Sequence, residues 1–420
     1  MSKKILSLLV ASVFLLISCS KDDDANQNQN FHVDFSNVTI GSVVVEVLGL
    51  TPGDQVFSSG LVWGTNDTPD ITTENYIIKP VVSGSFQDTV YGLLKNTSYN
   101  FRAFQQTESG VNYGSVFSMK TSETCNGQAF QGDVILRSQK EVDDFDVSNI
   151  CSINGSFQLI SENLLDPIID ISKFSQLTSV GTLQIYNNRE LGNIVGLQNI
   201  ETVSEFIFIG DNRKLVTIDP LSSVSGSVES VSIRKNEKLI NLNGLNGLTT
   251  IGVSADGGLD IYNNLNLESL ASFDALEHLS NFSLNLNPSI ISVEFPNLTG
   301  SIKNFNISEN GRLASIISLG EVNEIENFII FDCGVFENIG DLNSLTKINY
   351  IDISDSKLIN LDFLSSVNEG EDAYFGRNYE LSDFCGLQEA ILKGSFKNFY
   401  TSSNAFDPTR KDLLNGNCSL

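Results

Sequence analysis

Few residues of this sequence have a type and spacing suited to catalysis or metal binding. The two histidines, His32 and His278, have no cysteine or second histidine at metal-ligand spacing. Neither Gly-x-Ser-x-Gly nor His-Glu-x-x-His occurs, so the motifs for a serine nucleophile and a zinc-bound water are absent. A carboxylate pair for glycoside hydrolysis stays open, because 51 acidic residues form many pairs. We therefore predict no catalytic residue, no metal and no cofactor.

One loop segment, Asp256-Gly257-Gly258, has the composition of a weak calcium site. The same residues are typical of a plain turn, because glycine and aspartate both favour tight backbone conformations. We favour the turn.

The overall charge excludes one class of partner. The 420 residues include 25 Lys plus Arg against 51 Asp plus Glu, a formal net charge of −26. Nucleic-acid binding depends on basic side chains that displace counterions from phosphates. We therefore predict no nucleic-acid partner.

The N-terminus has the pattern of an exported, lipid-anchored protein. Lys3 and Lys4 precede an apolar run over residues 5–17, which suits a signal peptide and is too short to span a bilayer as a helix. The run ends in Leu16-Ile17-Ser18-Cys19, which resembles a bacterial lipobox. This resemblance implies a lipoprotein signal peptide over residues 1–18, lipidation of Cys19, and the membrane as a partner through that anchor.

Residues 19–30 are expected to form a flexible acidic tether that begins with the lipidated cysteine. The segment Ser20-Lys21-Asp22-Asp23-Asp24 looks like the surface-export signal of Bacteroidota lipoproteins. That resemblance implies an outer-membrane protein exposed on the cell surface. The alternative is a solvated spacer with no export role.

Residues 31–122 have the pattern of a small β-sandwich. Short alternating runs such as Val43-Val44-Val45-Glu46-Val47 are separated by turn signals. The segment Gly92-Leu93-Leu94-Lys95-Asn96-Thr97-Ser98-Tyr99 resembles a fibronectin type III domain, with Leu94 and Tyr99 matching that family's leucine and corner tyrosine. The usual proline between them is absent. We interpret this segment as a spacer.

Residues 125–420 repeat with a period in the twenties, which predicts a solenoid. Inward-facing candidates recur in steps of 24, 24, 28, 23, 23, 23, 23 and 22 residues, at Leu183, Ile207, Val231, Leu259, Phe282, Phe305, Phe328, Ile351 and Ala373. An asparagine three residues before a leucine recurs in several units, as in Asn188 and Leu191. This shape resembles the receptor L domain more closely than a standard leucine-rich repeat. We predict an all-β protein, with the sandwich followed by a right-handed β-helix-like, leucine-rich-repeat-like solenoid.

Four of the cysteines bracket the two ends of this solenoid. Cys125 and Cys151 enclose the first coil, and Cys385 and Cys418 enclose the last coil and the tail. The compartments to which exported proteins are sent permit disulfides, and the exposed ends of a solenoid need to be capped. We therefore predict these two bridges. Cys333 is left over and is expected to be a buried small residue.

The recurring asparagines are expected to be structural. They lie at 188, 212, 236, 264, 287 and 310, and the series is interrupted at Cys333 and Asp355 before Asn378. Buried amides stacked at one corner satisfy turn backbone groups.

The candidate binding surface is the outward face of the repeated strand, where side chains that flank the inward pair alternate toward solvent. Its aromatic members, which we predict to contact ligand, are Tyr186, Phe208, Tyr262, Phe331 and Tyr374. The alternative is that these rings pack neighbouring coils or meet the fibronectin-like domain. The function predicted from the sequence is non-catalytic recognition or adhesion of a glycan or extracellular protein. A structural or accessory subunit of an outer-membrane complex, or a glycan-degrading enzyme, are the alternatives.

Overall fold

The computed structural model describes residues 31–51, 53, 55–270, 273–340 and 342–420. The signal peptide, Cys19 and the tether lie outside these residues. The described chain divides into two compact units. One comprises the segment that ends at Asp34 together with Glu46–Gln87 and Tyr99–Ser118. The other comprises Phe35–Val45, Asp88–Ser98 and Met119–Leu420.

The N-terminal strands form two small sheets, one in the order β1-β2-β5 and one in the order β4-β3-β6-β7. Strand β3 is antiparallel to both β4 and β6. Their bounds are β1 His32–Ser36, β2 Val43–Leu50, β3 Val56–Gly64, β4 Asn75–Pro80, β5 Gly84–Val90, β6 Ser98–Thr107 and β7 Gly110–Lys120.

Alternation along these strands places their apolar side chains inside, as the period of two requires. Val43, Val45 and Val47 are fully buried on β2. Tyr99 is buried, but the buried leucine before it is Leu93, and the predicted Leu94 is 45% exposed.

The remaining strands build a parallel β-solenoid of right-handed type with about 12 turns. Its long parallel sheet has the order β8-β10-β11-β12-β14-β16-β18-β20-β22-β24-β25-β26, and β9 also pairs with β10. Two short sheets, β13-β15-β17 and β19-β21-β23, accompany it. The bounds are β8 Gln128–Phe130, β9 Val134–Leu136, β10 Ile150–Ile160, β11 Ser179–Tyr186, β12 Thr202–Gly210, β13 Ser225–Val228, β14 Ser230–Arg234, β15 Gly247–Ile251, β16 Gly258–Tyr262, β17 His278–Leu279, β18 Asn281–Asn285, β19 Ser292–Glu294, β20 Thr299–Ser308, β21 Ser315–Ser318, β22 Glu321–Phe331, β23 Asn338–Ile339, β24 Lys347–Ser354, β25 Asp372–Gly376 and β26 Asn398–Ser402.

Short helices lie near the two ends of the solenoid. They are α1 Gln139–Asp144, α2 Gln388–Leu392 and α3 Arg410–Leu414. Helix α1 is capped at its N-terminus by Ser138, whose side chain accepts a hydrogen bond from the Glu141 amide. Five single 3₁₀ turns lie between described strands, at Ser172–Phe174, Asp219–Leu221, Asn243–Leu245, Asp362–Leu364 and Cys385–Leu387.

The predicted inward residues form the core of the solenoid. Four of them align in register across β11, β12, β14 and β16 and are almost fully buried, namely Leu183, Ile207, Val231 and Leu259. The predicted inward residues on the later coils, up to Ala373, are buried as well. Phe282, Phe305 and Phe328 continue the column as close aromatic neighbours, with ring centroids 5.0 and 5.4 Å apart. Each buried ring or aliphatic side chain contributes roughly 2 kcal/mol, so stability accumulates coil by coil.

The asparagines form a buried ladder, as predicted. The backbone N–H of Asn212 donates to Oδ1 of Asn236 at 3.2 Å, and Asn236 in turn donates to Oδ1 of Asn264 at 3.0 Å. Each amide also donates to a carbonyl of the preceding coil, as Asn212 does to Ile185 at 2.7 Å. These bonds satisfy corner backbone groups that have no sheet partner.

The later part of the ladder corrects one detail of the sequence interpretation. Ser356, rather than Asp355, occupies the ladder position, and its N–H donates to Oδ1 of Asn378 at 3.0 Å. Asp355 precedes it with a left-handed φ of 56°, as Asn187 and Leu286 precede their ladder residues at 58° and 59°. The corner therefore places one residue in the left-handed region and fills the next position with a short buried side chain, which is asparagine, serine or, at position 333, cysteine.

Both predicted disulfides are present. Cys125 is bonded to Cys151 across 26 positions, and Cys385 to Cys418 across 33. The first holds the start of the solenoid, and the second ties the C-terminal tail to the final coil. Cys333 is free and buried, as predicted.

Candidate functional site

The outward face of the long parallel sheet carries the predicted aromatic residues. Three columns of outward side chains flank the two inward columns. The central column runs in register from Phe208 through Ser232 to Asp260 and on to Ser283. Beside it, one column begins with Phe206 and Ser230, and the other contains Arg234 and Tyr262.

An open groove of about 400 Å³ lies on this face across strands β12, β14, β16 and β18. Its floor is formed by small side chains, with Ser230 and Ser232 on β14 and Gly258 on β16. Phe206 and Phe208 form one wall, and Asn281 and Ser283 lie on the opposite side. The depression exists because Ser230, Ser232 and Gly258 have small side chains beside the larger rings of Phe206 and Phe208 on the preceding coil.

The aromatic wall is a pair of parallel rings. Phe206 and Phe208 project from the same side of β12, with ring centroids 6.1 Å apart and planes 8° from parallel. Tyr186 extends the cluster on the preceding coil, with its ring centroid 5.6 Å from that of Phe208. All three rings are partly exposed, so they offer an apolar platform beside the polar floor.

A loop inserted into a single coil borders the groove, which Asp256 and Gly257 help to line. Ile251 pairs with Leu279, and Leu259 pairs with Phe282. The chain therefore takes eight positions from Ile251 to Leu259, against three from Leu279 to Phe282. The five extra positions account for the 28-residue step in the repeat. Residues 252–257 are called the inserted loop below.

The inserted loop is held by side chains from both neighbouring coils. The Ser254 N–H donates to Oε2 of Glu229 at 3.1 Å, and Nδ2 of Asn281 donates to the carbonyls of Ala255 and Gly257 at 2.9 and 2.6 Å. Asp256 lies 3.4 Å from Nζ of Lys303. The loop is therefore a fixed wall of the groove.

Glycine is required where the inserted loop returns to the strand. A Cβ on Gly257 would lie 2.2 Å from the Glu229 carbonyl oxygen, and one on Gly258 would lie 2.5 Å from that of Asn281. This close packing accounts for the two adjacent glycines. Groups of three or more His, Cys, Asp or Glu side chains arranged to hold a metal ion are absent from the described residues.

A charged pair lies in the groove floor. Nε of Arg234 donates to Oδ2 of Asp260 at 2.5 Å, and the Ser232 hydroxyl donates to the same oxygen at 3.1 Å. The Arg234 side chain is 49% exposed and that of Asp260 is 28% exposed. Both groups can therefore exchange part of their contact with each other for contact with a ligand.

The five predicted ligand residues share the outward face but do not form one cluster. Phe208 lines the groove and Tyr186 adjoins it. Tyr262 pairs in register with Arg234 but does not line the groove. Phe331 lies on β22 with the Arg377 guanidinium carbon 5.9 Å from its ring centroid, and Tyr374 pairs in register with Tyr400.

Sequence reasoning missed Phe206 and the wall formed by the inserted loop. The period of 28 residues between Val231 and Leu259 was the available signal, because an extra-long coil must place its additional residues outside the core. The alternation Phe206-Ile207-Phe208 was a second signal, since it places two rings on the same face.

Comparison with known proteins gives weak likenesses. No protein-family model matches the chain, and no curated protein matches it. Among solved structures, a pectate lyase from Pectobacterium carotovorum is 10% identical, with 81% of this chain and 88% of that chain covered and a TM-score of 0.17. An exopolygalacturonase from Yersinia enterocolitica is 13% identical over 90% of this chain and 86% of its own, with a TM-score of 0.18. A structure described as a myokine is 15% identical and covers 22% of this chain and 93% of its own, with a TM-score of 0.18.

Among the residues that the structure describes, none of the helices has the length and apolar character needed to cross a membrane.

Proposed function

We propose that this protein is a non-catalytic glycan-binding module, and that the groove on the outward face of the long sheet is the centre of its binding site. The observation that carries the proposal is the coincidence of the groove with the inserted loop. The solenoid departs from its regular repeat at this coil, which carries the inserted loop. That loop adds a wall to a depression that already has an aromatic side and a polar floor.

The chemistry of the groove suits a carbohydrate. One face of a pyranose ring is lined by C–H groups, which pack against the electron-rich face of an aromatic ring. Phe206 and Phe208 supply such faces. The hydroxyl groups of a sugar need donors and acceptors within the same site, and Arg234, Asp260 and Asn281 provide both.

Binding without catalysis is favoured by the positions of the acidic groups. Glycoside hydrolysis uses two carboxyl groups that flank the bond to be broken, one of which donates a proton. Asp260 is engaged with Arg234 and Ser232, and the Asp256 side chain is 94% exposed on the inserted loop. The groove therefore offers one carboxylate in an ion pair and one on an exposed loop, rather than two carboxyl groups set on either side of a bound sugar chain.

The proposal includes the anchor and the architecture inferred from the sequence. Cys19 is lipidated, the protein is held on the outer membrane and displayed at the cell surface, and a fibronectin type III-like sandwich precedes a receptor L-domain-like solenoid. The lipobox resemblance supports the anchor, and the buried Tyr99 supports the sandwich. Metabolic labelling with a fatty acid tests the anchor, because Cys19→Ser is expected to abolish both the label and membrane fractionation.

The binding function is tested with the full chain, purified in mild detergent and screened against a panel of glycans and extracellular proteins. A variant with Phe206→Ala and Phe208→Ala is compared with Phe57→Ala, which removes a ring that is 53% exposed on β3. We expect glycan binding to be lost in the first variant and kept in the second. Glycan binding that survives in the double variant contradicts the groove as the site.

The same screen separates the other functions. If the chain binds a protein and no glycan, the ligand is a protein, as expected of an accessory subunit or a protein adhesin. New reducing ends or unsaturated products in the glycan incubations would show an enzyme. Either result overturns the proposed function.

A further inference from the structure

The groove is one end of a longer surface on the outward face of the sheet. Its outward side chains continue from β12 to β26 in three columns, which we call the binding track. Aromatic rings lie at both ends of the track. Toward the groove end they are Phe206 and Phe208 on β12 and Tyr262 on β16, and from β22 to β26 they are Phe331, Tyr350, Tyr374 and Tyr400.

The middle of the track is a ladder of amide and hydroxyl groups. Nδ2 of Asn327 donates to Oδ1 of Asn304 at 2.8 Å, and Nδ2 of Asn304 donates to Oδ1 of Asn281 at 2.6 Å. Ser283 and Asn306 lie beside these residues in the central column. The three amides are fixed by one another and are partly exposed, so one amide group is presented to solvent on each of these coils.

The charge of the track disfavours an anionic ligand. Along the described strands from β12 to β26, its cationic member is Arg234, and its anionic members are Asp260, Asp352 and Asp372. The sum is 1 − 3 = −2, and Arg234 is already paired with Asp260. Binding of carboxylated or sulfated chains relies on unpaired cations, which this track does not offer.

The spacing of the track points to the direction of the ligand. Neighbouring strands of a sheet lie about 4.8 Å apart, which is comparable to the length that one β-1,4-linked sugar adds to an extended chain. The step from β12 to β26 crosses eight strand spacings, or about 38 Å. An extended peptide advances only about 3.3 Å per residue, so its side chains do not keep step with the coils.

We propose that the ligand is a linear, uncharged, β-linked glycan that lies along the solenoid axis, with one sugar for each coil from Phe208 to Tyr374. This inference rests on the proposed function, because it assigns a ligand class and a direction to the same site. The groove rings hold one part of the chain, the amide ladder contacts hydroxyl groups between the two ends, and the C-terminal rings hold the distal part.

The test measures binding of the full chain to β-1,4-linked gluco-, manno-, xylo- and N-acetylglucosamine oligosaccharides as disaccharides, tetrasaccharides and octasaccharides, with oligogalacturonates of equal length as the charged comparison. We expect the octasaccharide of the preferred series to bind at least about ten-fold more tightly than the tetrasaccharide, because only it reaches the distal rings. Oligogalacturonates are expected to bind more weakly at every length.

Variants at the two ends make the test specific. Tyr374→Ala is expected to lower octasaccharide affinity about ten-fold and leave tetrasaccharide affinity unchanged, whereas Phe208→Ala lowers both. Tyr374→Phe keeps the ring and is expected to retain octasaccharide binding. Far-UV circular dichroism checks that each variant is folded.

The possible failures are distinguishable. Groove-dependent binding that does not increase with chain length, or that is insensitive to Tyr374→Ala, overturns the extended track and leaves the proposed function standing. Preference for oligogalacturonate overturns the uncharged ligand. Absence of binding to every oligosaccharide overturns the proposed function and this inference together.

Discussion

The side-chain amide of Asn281 donates a hydrogen bond to the Gly257 carbonyl at 2.6 Å. This bond joins the inserted loop of one coil to the outward strand of the next. Asn281 also donates to Ala255 and accepts from Asn304, so one side chain connects the groove wall to the amide ladder. The groove and the track are therefore parts of one hydrogen-bonded surface.

Replacement of this side chain should free the inserted loop. Asn281→Ala removes two bonds that hold residues 252–257, each worth about 1 kcal/mol. We expect cleavage within the loop by subtilisin to accelerate about ten-fold or more, because local opening becomes more frequent. Mass spectrometry of the fragments identifies the site. Asn297→Ala, which removes one exposed bond to the Asp274 carbonyl, should leave the cleavage rate near that of the wild type.

A methyl group on Gly210 should disturb the groove without unfolding the protein. A Cβ at this position would lie 2.8 Å from Cζ of Phe208, so the ring must turn away from its position in the wall. For Gly210→Ala we expect about ten-fold weaker glycan binding and an unchanged melting temperature. Gly311→Ala adds its Cβ where nothing lies within 4 Å and is the control. Equal affinities of the two variants would show that the orientation of Phe208 is immaterial.

Loss of one rung of the buried ladder should destabilise the solenoid. Asn236 accepts from the Asn212 N–H and donates to the Ile209 carbonyl at 2.9 Å. Asn236→Ala leaves the Asn212 N–H and the Ile209 carbonyl buried without these hydrogen bonds. We therefore expect the free energy of unfolding to fall by about 3 kcal/mol.

Urea titration followed by far-UV circular dichroism measures the effect of Asn236→Ala. Asn266→Ala, which removes an exposed bond to the Glu237 carbonyl, should cost no more than about 1 kcal/mol. Trp63, the single tryptophan of the chain, lies in the other compact unit. Its fluorescence transition should be unchanged. Equal stability of the two variants would contradict a ladder that supports the corner.

The buried thiol of Cys333 should make stability depend on alkaline pH. Burial raises the pKa of this thiol from 9.0 to about 11, because the thiolate is poorly solvated inside the fold. The folded state thus favours the neutral thiol. The stabilisation is complete below pH 9 and is lost between pH 9 and 11, with a total of about 2 to 3 kcal/mol.

Other groups titrate in the same range, so the measurement is the difference between the wild type and Cys333→Ala as pH rises. We expect the wild type to lose stability faster from pH 9 to 11. At pH 8 the native thiol should also resist a disulfide reagent that labels it in guanidinium chloride. Parallel pH profiles for the two proteins would place the titration elsewhere.

Much of the solenoid was predictable because the features that define each coil depend on local sequence. Inward side chains such as Leu183 and Ile207 recur at the coil period, and a residue's place in that period determines whether it faces the core. The positions of Cys125 and Cys418 at the ends of the repeat likewise indicated which coils the disulfides close. The ladder asparagines followed from the same repetition, although Asp355 and Ser356 were not separable without the backbone conformation.

The groove required the tertiary structure. Phe206 and Ser283 are 77 positions apart in the sequence, and stacking of the coils places them on opposite sides of one depression. Sequence alone determined which residues face outward, since alternation along a strand is a local property. Small side chains on two adjacent coils determine the depth of the groove. The hydrogen bonds that hold the inserted loop to Glu229 and Asn281 determine where its wall lies. Both depend on contacts between coils, which no single repeat contains.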